Sequence, residues 1–199
     1  MIVASTMPAK PTVFLDRDGT ILKEVSYLSD TSRTELLPGV AQALAAFQQY
    51  GIQLIVVSNQ SGIARGLLDE GDLVNIQNEI DHLLKPYGVR IDGYYHCPHH
   101  PEVGVAPERR RCQCRKPHGG MLDVAAQDFE IDWQHSVGVG DDVRDLQAFA
   151  AKDMPSVLVG TGKGRAMRQK LAEMGKEPDL YCAHLAEAIP WVIRHCASQ

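Results

Sequence analysis

An α/β fold built on a doubly wound parallel sheet is what this sequence predicts, and three observations carry the prediction. Short, mostly apolar runs, Thr12 to Leu15, Ile52 to Val57 and Ser136 to Gly140, read as buried strands, the first of them without a break. Segments of helical apolar period separate them, so strand and helix alternate along the chain. Each run also stops in polar residues able to do chemistry: Asp16 and Asp18, Ser58 and Asn59, and Asp141. The carboxyl ends of strands are where open α/β sheets bind ligands.

The chain has 199 residues, 44% of them hydrophobic, enough to bury one α/β core, and no linker divides it, so a single domain over residues 1–199 is expected. No apolar run approaches the roughly 20 residues of a membrane span, and Met1 to Lys10 lacks the basic start and apolar centre of a signal peptide. A cytoplasmic protein with no membrane partner is the expectation. The formal charge of −5 argues against a surface that binds nucleic acid nonspecifically. Of the five cysteines, Cys182 and Cys196 stand apart and read as small apolar residues. Cys97, Cys112 and Cys114 share one loop with histidines, which in a cytosolic chain points to metal before disulfide.

Thr12, Val13, Phe14 and Leu15 form the first strand, and Gly19 permits the sharp exit beyond Asp16 and Asp18. Leu22 to Leu37 shows no period and is expected to be a loop or small flap over that strand end, carrying Glu24 and Tyr27. Pro38 suits the first turn of a helix whose Val40, Leu44 and Phe47 share a face and which Gly51 ends. Ile52 to Val57 then runs straight into Ser58-Asn59-Gln60-Ser61-Gly62. Leu73, Ile76, Ile80, Leu83 and Leu84 predict a helix from about Glu70 to Lys85, stopped by Pro86 and Gly88. Gly93 to His96 reads as a short strand, and Cys97 to Pro117 is too rich in Pro, Arg, His and Cys for regular structure without an internal staple. Met121, Leu122, Ala125 and Phe129 restore a helical face before the strand Ser136 to Gly140. A helix over Arg144 to Lys152, a strand over Ser156 to Val159, a helix over Gly164 to Met174, a short strand over Leu180 to Cys182 and a closing helix from His184 complete the alternation.

Alternate residues of a strand point the same way, so the carboxylates of Asp16 and Asp18 are expected to converge just beyond the sheet. Acids this close call for a cation, and a hard metal such as Mg²⁺ answers the need. Ser58 and the backbone N–H groups after it can hold a phosphate, while Arg115 and Lys116 supply the positive charge that phosphoryl oxygens require. Asp145, one helical turn beyond Asp141, either orients the metal's surroundings or caps the following helix. The cysteine loop offers Cys97, Cys112 and Cys114 with an imidazole, and spacing alone does not choose among His96, His99 and His100. Such a set closes a tetrahedral zinc site with no position left for substrate, so the zinc reads as structural, ordering the loop that presents Arg115 and Lys116.

Taken together these stretches resemble, over almost the full chain, the motifs of the haloacid dehalogenase-like phosphatase superfamily: Asp16-Arg-Asp-Gly-Thr20 the first, Ser58 the second, Lys116 the third and Gly140-Asp141-Asp142 the fourth. The resemblance implies a Rossmann-like sheet with no large cap domain and a Mg²⁺-dependent phosphomonoesterase. Asp16 would be the nucleophile that forms an aspartyl-phosphate, and Asp18 the acid and then the base. Asp16, the main-chain carbonyl of Asp18, and Asp141 would hold Mg²⁺, while Ser58, the Asn59 amide and Lys116 would clamp phosphoryl oxygens.

Within that superfamily, Cys97-Pro-His99-His100, Cys112-Gln-Cys114-Arg115-Lys116-Pro117-His118 and Ser58-Asn-Gln-Ser-Gly-Ile-Ala-Arg-Gly66 are similar to the family of D-glycero-D-manno-heptose 1,7-bisphosphate 7-phosphatases and histidinol-phosphate phosphatases. The likeness selects His99 as the fourth zinc ligand. It implies a small phosphorylated sugar as substrate, losing its 7-phosphate in bacterial heptose nucleotide synthesis, with histidinol phosphate as the alternative. Arg115 would read the second anion of a bisphosphate, with Glu24, Tyr27, Gln60 and Ser61 completing the substrate site and the enzyme acting as a monomer. Two departures stand out. Ser58 replaces the family's usual Thr and keeps the hydroxyl, whereas Asp142 replaces its usual Lys and reverses a charge beside the metal.

Two competing readings involve nucleic acid. The Arg109-Arg110-Arg111 run beside the cysteines, with Tyr94 and Tyr95 to stack bases, would make a zinc-stapled binding module, and the first motif is shared with nucleic-acid 3′-phosphatases. The acidic total and the complete catalytic set weigh against both.

Overall fold

The computed structural model describes residues 8–197, so Met1 to Met7 of the stretch read for a signal peptide lie outside the described residues. Six strands, β1 (Thr12–Leu15), β2 (Gln53–Asn59), β3 (Gly93–Cys97), β4 (Val137–Gly140), β5 (Ser156–Val159) and β6 (Leu180–Cys182), form one parallel sheet in the order β3-β2-β1-β4-β5-β6. Strand alternation decides what each face carries. Val13 and Leu15 of β1, Leu54 and Val56 of β2 and Val139 of β4 pack with α1 (Val40–Gln49), α2 (Glu70–Leu84) and α6 (Ile189–Cys196). Phe14, Ile55 and Val57 point the other way, onto α3 (Gly120–Asp128) and α4 (Val143–Ala150), and Leu158 joins α4 to α5 (Gly164–Glu173). Cys182 and Cys196 are buried in the first of these clusters as small apolar groups.

The chain winds outward from β1 to β3, then begins again at β4 on the other side of β1. The winding reverses there, and the carboxyl ends of β1 and β4 lie side by side at the switch point that binds ligands in such sheets. No cap domain is inserted in the described chain. The segment expected to be a flap carries only a bridge between Leu22 and Leu36 and a 3₁₀ turn over Thr31–Arg33. Among the described residues no helix is long and apolar enough to cross a membrane.

Several elements differ from expectation. β2 continues through Ser58 and Asn59 because β3 pairs with both of them, Ser58 against His96 and Asn59 against Cys97, so these two polar residues are strand residues rather than loop. Pro38 precedes α1, which starts at Val40 behind Gly39, instead of opening its first turn. The closing helix is two pieces, a 3₁₀ turn over Leu185–Ala188 and then α6. Tyr94 and Tyr95, offered as a base-stacking pair, are neighbours on β3 and so face opposite sides; their hydroxyls donate to Asp81 of α2 and Asp128 of α3, each at 2.7 Å. They form no common platform.

Candidate active site

The site is assembled where β1 and β4 end. The Asp16 amide still donates to the Val139 carbonyl at 2.9 Å, which continues the sheet one residue past β1 and holds the carboxylate over the switch point. Gly19, at φ 86, then turns the chain away. Lys116 fills the space in front of Asp16: its Nζ lies 2.5 Å from Asp16 Oδ1 and 2.7 Å from Asp145 Oδ1, and it donates to the Val57 carbonyl at 2.8 Å. Asp16, Asp141 and Asp145 each offer a carboxylate oxygen, all within 4.8 Å of one another.

Electrostatics follow from this crowding. Burial raises the Asp16 carboxyl well above its ordinary range; Lys116 pulls it back, and Asp145, Asp141 and Asp18 add to the rise. Burial also pushes Asp141 up to about 6, against the Lys163 amide that bonds to it. Lys116 behaves in the opposite sense: burial opposes its charge, but Asp145 and Asp16 outweigh that and hold it above the usual lysine range.

Of the two roles the sequence left open for Asp145, the structure shows the helix cap, together with a pair to Lys116. Its Oδ1 pairs with Lys116, and its Oδ2 accepts from the Asp142 amide at 2.9 Å as half of a capping box at the start of α4. Asp18 departs from expectation, because the strand alternation that would aim it beside Asp16 ends at Leu15. Its carboxylate is gripped by Arg17 through Nε and NH2 at 2.9–3.2 Å and by Gln60 Nε2 at 2.9 Å, so Asp145 and not Asp18 completes the carboxylate cluster. Gln60 also donates to Ser58 Oγ at 2.6 Å, which ties the end of β2 to Asp18.

The Asn59 side chain is engaged with the loop that carries Lys116. Its side-chain amide accepts from the Lys116 N–H at 3.0 Å and donates to the Lys116 carbonyl at 3.1 Å, so both ends serve the main chain of Lys116. Asn59 is thereby a positioning residue for the lysine. Glu24, Tyr27, Ser61 and Arg115 line the same cleft, which encloses about 270 Å³. Glu24 pairs with Lys163 at 2.8 Å, and the Arg65 guanidinium stands 5.6 Å from the Tyr27 ring centroid. Arg115 donates to the His99 carbonyl at 3.1 Å.

Two functional positions escaped the sequence reading. The first is the turn after β5, where the Lys163 amide donates to Asp141 Oδ2 at 2.7 Å and Thr161 Oγ1 donates to the Gly19 carbonyl at 2.6 Å. A Cβ on Gly162 (φ 51) would stand 2.1 Å from Asp141 Oδ2, and one on Gly19 would stand 2.3 Å from it, so these two bare backbones enclose the carboxylate. The signal was present: Gly160-Thr-Gly-Lys163 is a glycine-rich polar stretch at a strand's carboxyl end. The second is Arg144, which pairs with Asp142 at 2.6 Å and lines the cleft.

The cysteine loop closes on itself as expected. Cys97, Cys112 and Cys114 place their sulfurs 3.2–3.5 Å apart, and His99 Nδ1 lies 3.3 Å from Cys114 Sγ and 3.6 Å from Cys97 Sγ. Metal–ligand bonds of about 2.0–2.3 Å in a tetrahedron put neighbouring donors a little under 4 Å apart, so this slightly contracted cage fits zinc by size and by softness. The other histidines are engaged elsewhere. His100 Nδ1 accepts from the Glu102 and Val103 amides at 3.1 Å each, and His96 Nε2 lies 3.0 Å from Glu70.

Known proteins agree with this arrangement. Residues 113–188 match the family model described as HAD-hydrolase-like. The chain is 44% identical over 155 residues to the D-glycero-beta-D-manno-heptose-1,7-bisphosphate 7-phosphatase of Salmonella typhi, covering 77% of this chain and 82% of the relative. It is 43% identical over 154 residues to the protein of the same name in Escherichia coli K12, covering 77% and 81%. Among solved structures, the D,D-heptose 1,7-bisphosphate phosphatase of B. bronchiseptica, crystallised with magnesium and phosphate, superposes with a TM-score of 0.80 at 33% identity, covering 92% of this chain and 98% of that one. The carboxylates at the sheet's switch point, the buried lysine before them and this identity over most of both chains lead to one conclusion: the chain is a phosphoric monoester hydrolase that belongs to the haloacid dehalogenase-like phosphatases, in the heptose-bisphosphate phosphatase family.

Proposed function

We propose that the enzyme removes the 7-phosphate of D-glycero-β-D-manno-heptose 1,7-bisphosphate, with Asp16 as its nucleophile. The observation that carries the reading is the pairing of buried Asp16 with Lys116 beside Asp141 and Asp145, in a chain so similar to phosphatases of that specificity. Asp16 attacks phosphorus in line; a bond forms from its carboxylate oxygen as the bond to the sugar oxygen breaks, and Asp18 gives its proton to the departing alkoxide. Asp18 then takes a proton from a water that attacks the aspartyl-phosphate, which frees inorganic phosphate and restores Asp16. Ser58 and Lys116 receive the non-bridging oxygens, and Asn59 keeps Lys116 in place.

Three buried acids share one buried lysine in this cluster, a deficit of positive charge that fits a hard divalent cation. Asp16, Asp141 and the Asp18 carbonyl would hold Mg²⁺, which when bound neutralises charge on the transferring phosphoryl group. Zinc on Cys97, His99, Cys112 and Cys114 would be structural, since the four donors close its tetrahedron and lie in a loop without a core of its own. The reaction runs in the cytoplasm on a small sugar phosphate, without nucleic acid.

Release of phosphate from the heptose bisphosphate and from histidinol phosphate, each with Mg²⁺, tests the substrate. The expected outcome is a preference for the bisphosphate of at least about tenfold in kcat/KM, the discrimination that one well-placed charge contact supplies. A preference for histidinol phosphate would transfer the enzyme to that reaction. Replacement Gly162→Ala is expected to displace Asp141, because the added methyl would overlap its Oδ2 and the left-handed backbone resists a side chain. Misplacing a reacting group by about 1 Å costs on the order of 100-fold in rate, and Mg²⁺-dependent turnover of the variant should fall by about that factor. Turnover equal to the native enzyme's would show that the Asp141 carboxylate is not held by this contact.

A further inference from the structure

Beside the catalytic cleft lies a second, shallower one of about 320 Å³, walled by Arg110, Arg111, His118 and Glu102. The two meet at Arg115, Lys116 and Arg144, each of which lines both. A ligand with one phosphate over Asp16 that extends across this junction therefore passes Arg115 and Arg144 before reaching a wall in which arginine outnumbers acid. Lys116 already serves the phosphate over Asp16, since its ammonium lies beside Asp16, Asp145 and the Val57 carbonyl.

Arg144 is placed to meet the part of the ligand beyond that phosphate. Its side chain is 45% exposed, and its Nε and NH2 lie on Asp142 at 3.1 and 2.6 Å, a forked grip that fixes the guanidinium's direction. It also occupies the first turn of α4, where the helix dipole disfavours a cation, so helix stability does not explain an arginine there. Asp142 carries an acidic charge at this corner of the cleft, and Arg144 sets a positive charge beside it.

We propose that Arg144 is a specificity residue of this enzyme, receiving with Arg115 the second phosphate of a sugar bisphosphate whose first phosphate lies over Asp16. The proposal rests on the bisphosphate reading above. Asp142 holds the guanidinium ready rather than cancelling it, since a phosphate dianion outcompetes a single carboxylate for the fork's outward edge.

The test compares the native enzyme with Arg144→Met and with the double variant Arg144→Met, Asp142→Ala, on heptose 1,7-bisphosphate and on the heptose 7-monophosphate. Arg144→Met is expected to lower kcat/KM for the bisphosphate about 30-fold, mainly through KM, and to leave the monophosphate within about twofold, the loss expected of one charge-assisted contact. The double variant should keep that loss. Recovery in the double variant would overturn the proposal, because Arg144 would then serve only to neutralise Asp142. Equal losses on both substrates would overturn it too, by making Arg144 a structural residue. A native preference for the bisphosphate that survives Arg144→Met would sink the proposal alone, whereas a native enzyme indifferent to the second phosphate would sink the bisphosphate reading and this proposal with it.

Discussion

Asp16→Asn is expected to lower turnover by at least about 10⁴-fold while leaving the metal-free protein as stable as before or more so. The two halves have one cause. Asp16 is buried among acids, and its carboxyl is raised well above the ordinary range despite Lys116. A carboxyl whose folded pKa lies above its unfolded value stabilises the fold only while protonated, and that contribution disappears as pH rises through the folded value. Once ionised, the carboxyl is therefore a burden on the metal-free fold, and the proposed nucleophilic role accounts for its being there. Asparagine keeps the shape, removes the charge and leaves Lys116 its pair with Asp145 at 2.7 Å. Thermal melting without Mg²⁺ and phosphate release with it measure both halves. Residual turnover within 100-fold of native would show that another group attacks phosphorus, and a large drop in melting temperature would show that the Asp16–Lys116 pair holds the fold together.

Removing zinc should have the second largest effect. The loop from Pro98 to Pro117 contains no helix or strand beyond the bridge between His100 and Arg109, and the four donors that face one another tie it to the end of β3. Structural zinc sites in small peptides contribute on the order of 10–16 kcal/mol of binding free energy at neutral pH, so its loss is not something a loop without a core can absorb. In Cys112→Ser the zinc content should fall from about one equivalent towards zero, and the Arg109–Arg111 run should become accessible to trypsin. Activity should drop by roughly 100-fold, because Arg115 and Lys116 follow directly from the cage. Far-ultraviolet circular dichroism should change little, since the sheet and its helices lie outside the loop. A native protein without zinc, or a variant that resists trypsin and keeps full activity, would remove the metal from the account.

The strands and the polar residues that close them were legible because both signals are local. Thr12 to Leu15 announces a buried strand by its own side chains, and Asp16 follows it whatever the rest of the chain does. The same holds for the cysteine loop, where Cys97, Cys112 and Cys114 in a stretch without apolar period announce by composition the donor cluster that the fold brings together. Boundaries were less legible. β2 extends through Ser58 and Asn59 only because β3 pairs with them, and nothing within β2 records that partner.

Local patterns along the chain were thus enough for the alternating fold, for the polar strand ends and for the kinds of residue placed there. Which of those residues meet is set by long-range packing. By spacing His96, His99 and His100 are equivalent donors, the family likeness points to His99, and the structure agrees, since its Nδ1 reaches the sulfurs while the others bond to Glu70 and to loop amides. Nothing along the chain says that the Asn59 side chain will serve the main chain of Lys116 with both its ends, or that the Asp18 carboxylate will take Arg17 and Gln60 as partners while lining the cleft with Asp16. Lys163 reaches Asp141 across a gap of 22 residues that no local pattern spans. The physical reason is common to all of them: propensity and apolar period act over a few residues, whereas a side chain's partner is set by how distant strands pair and which way the backbone leaves them.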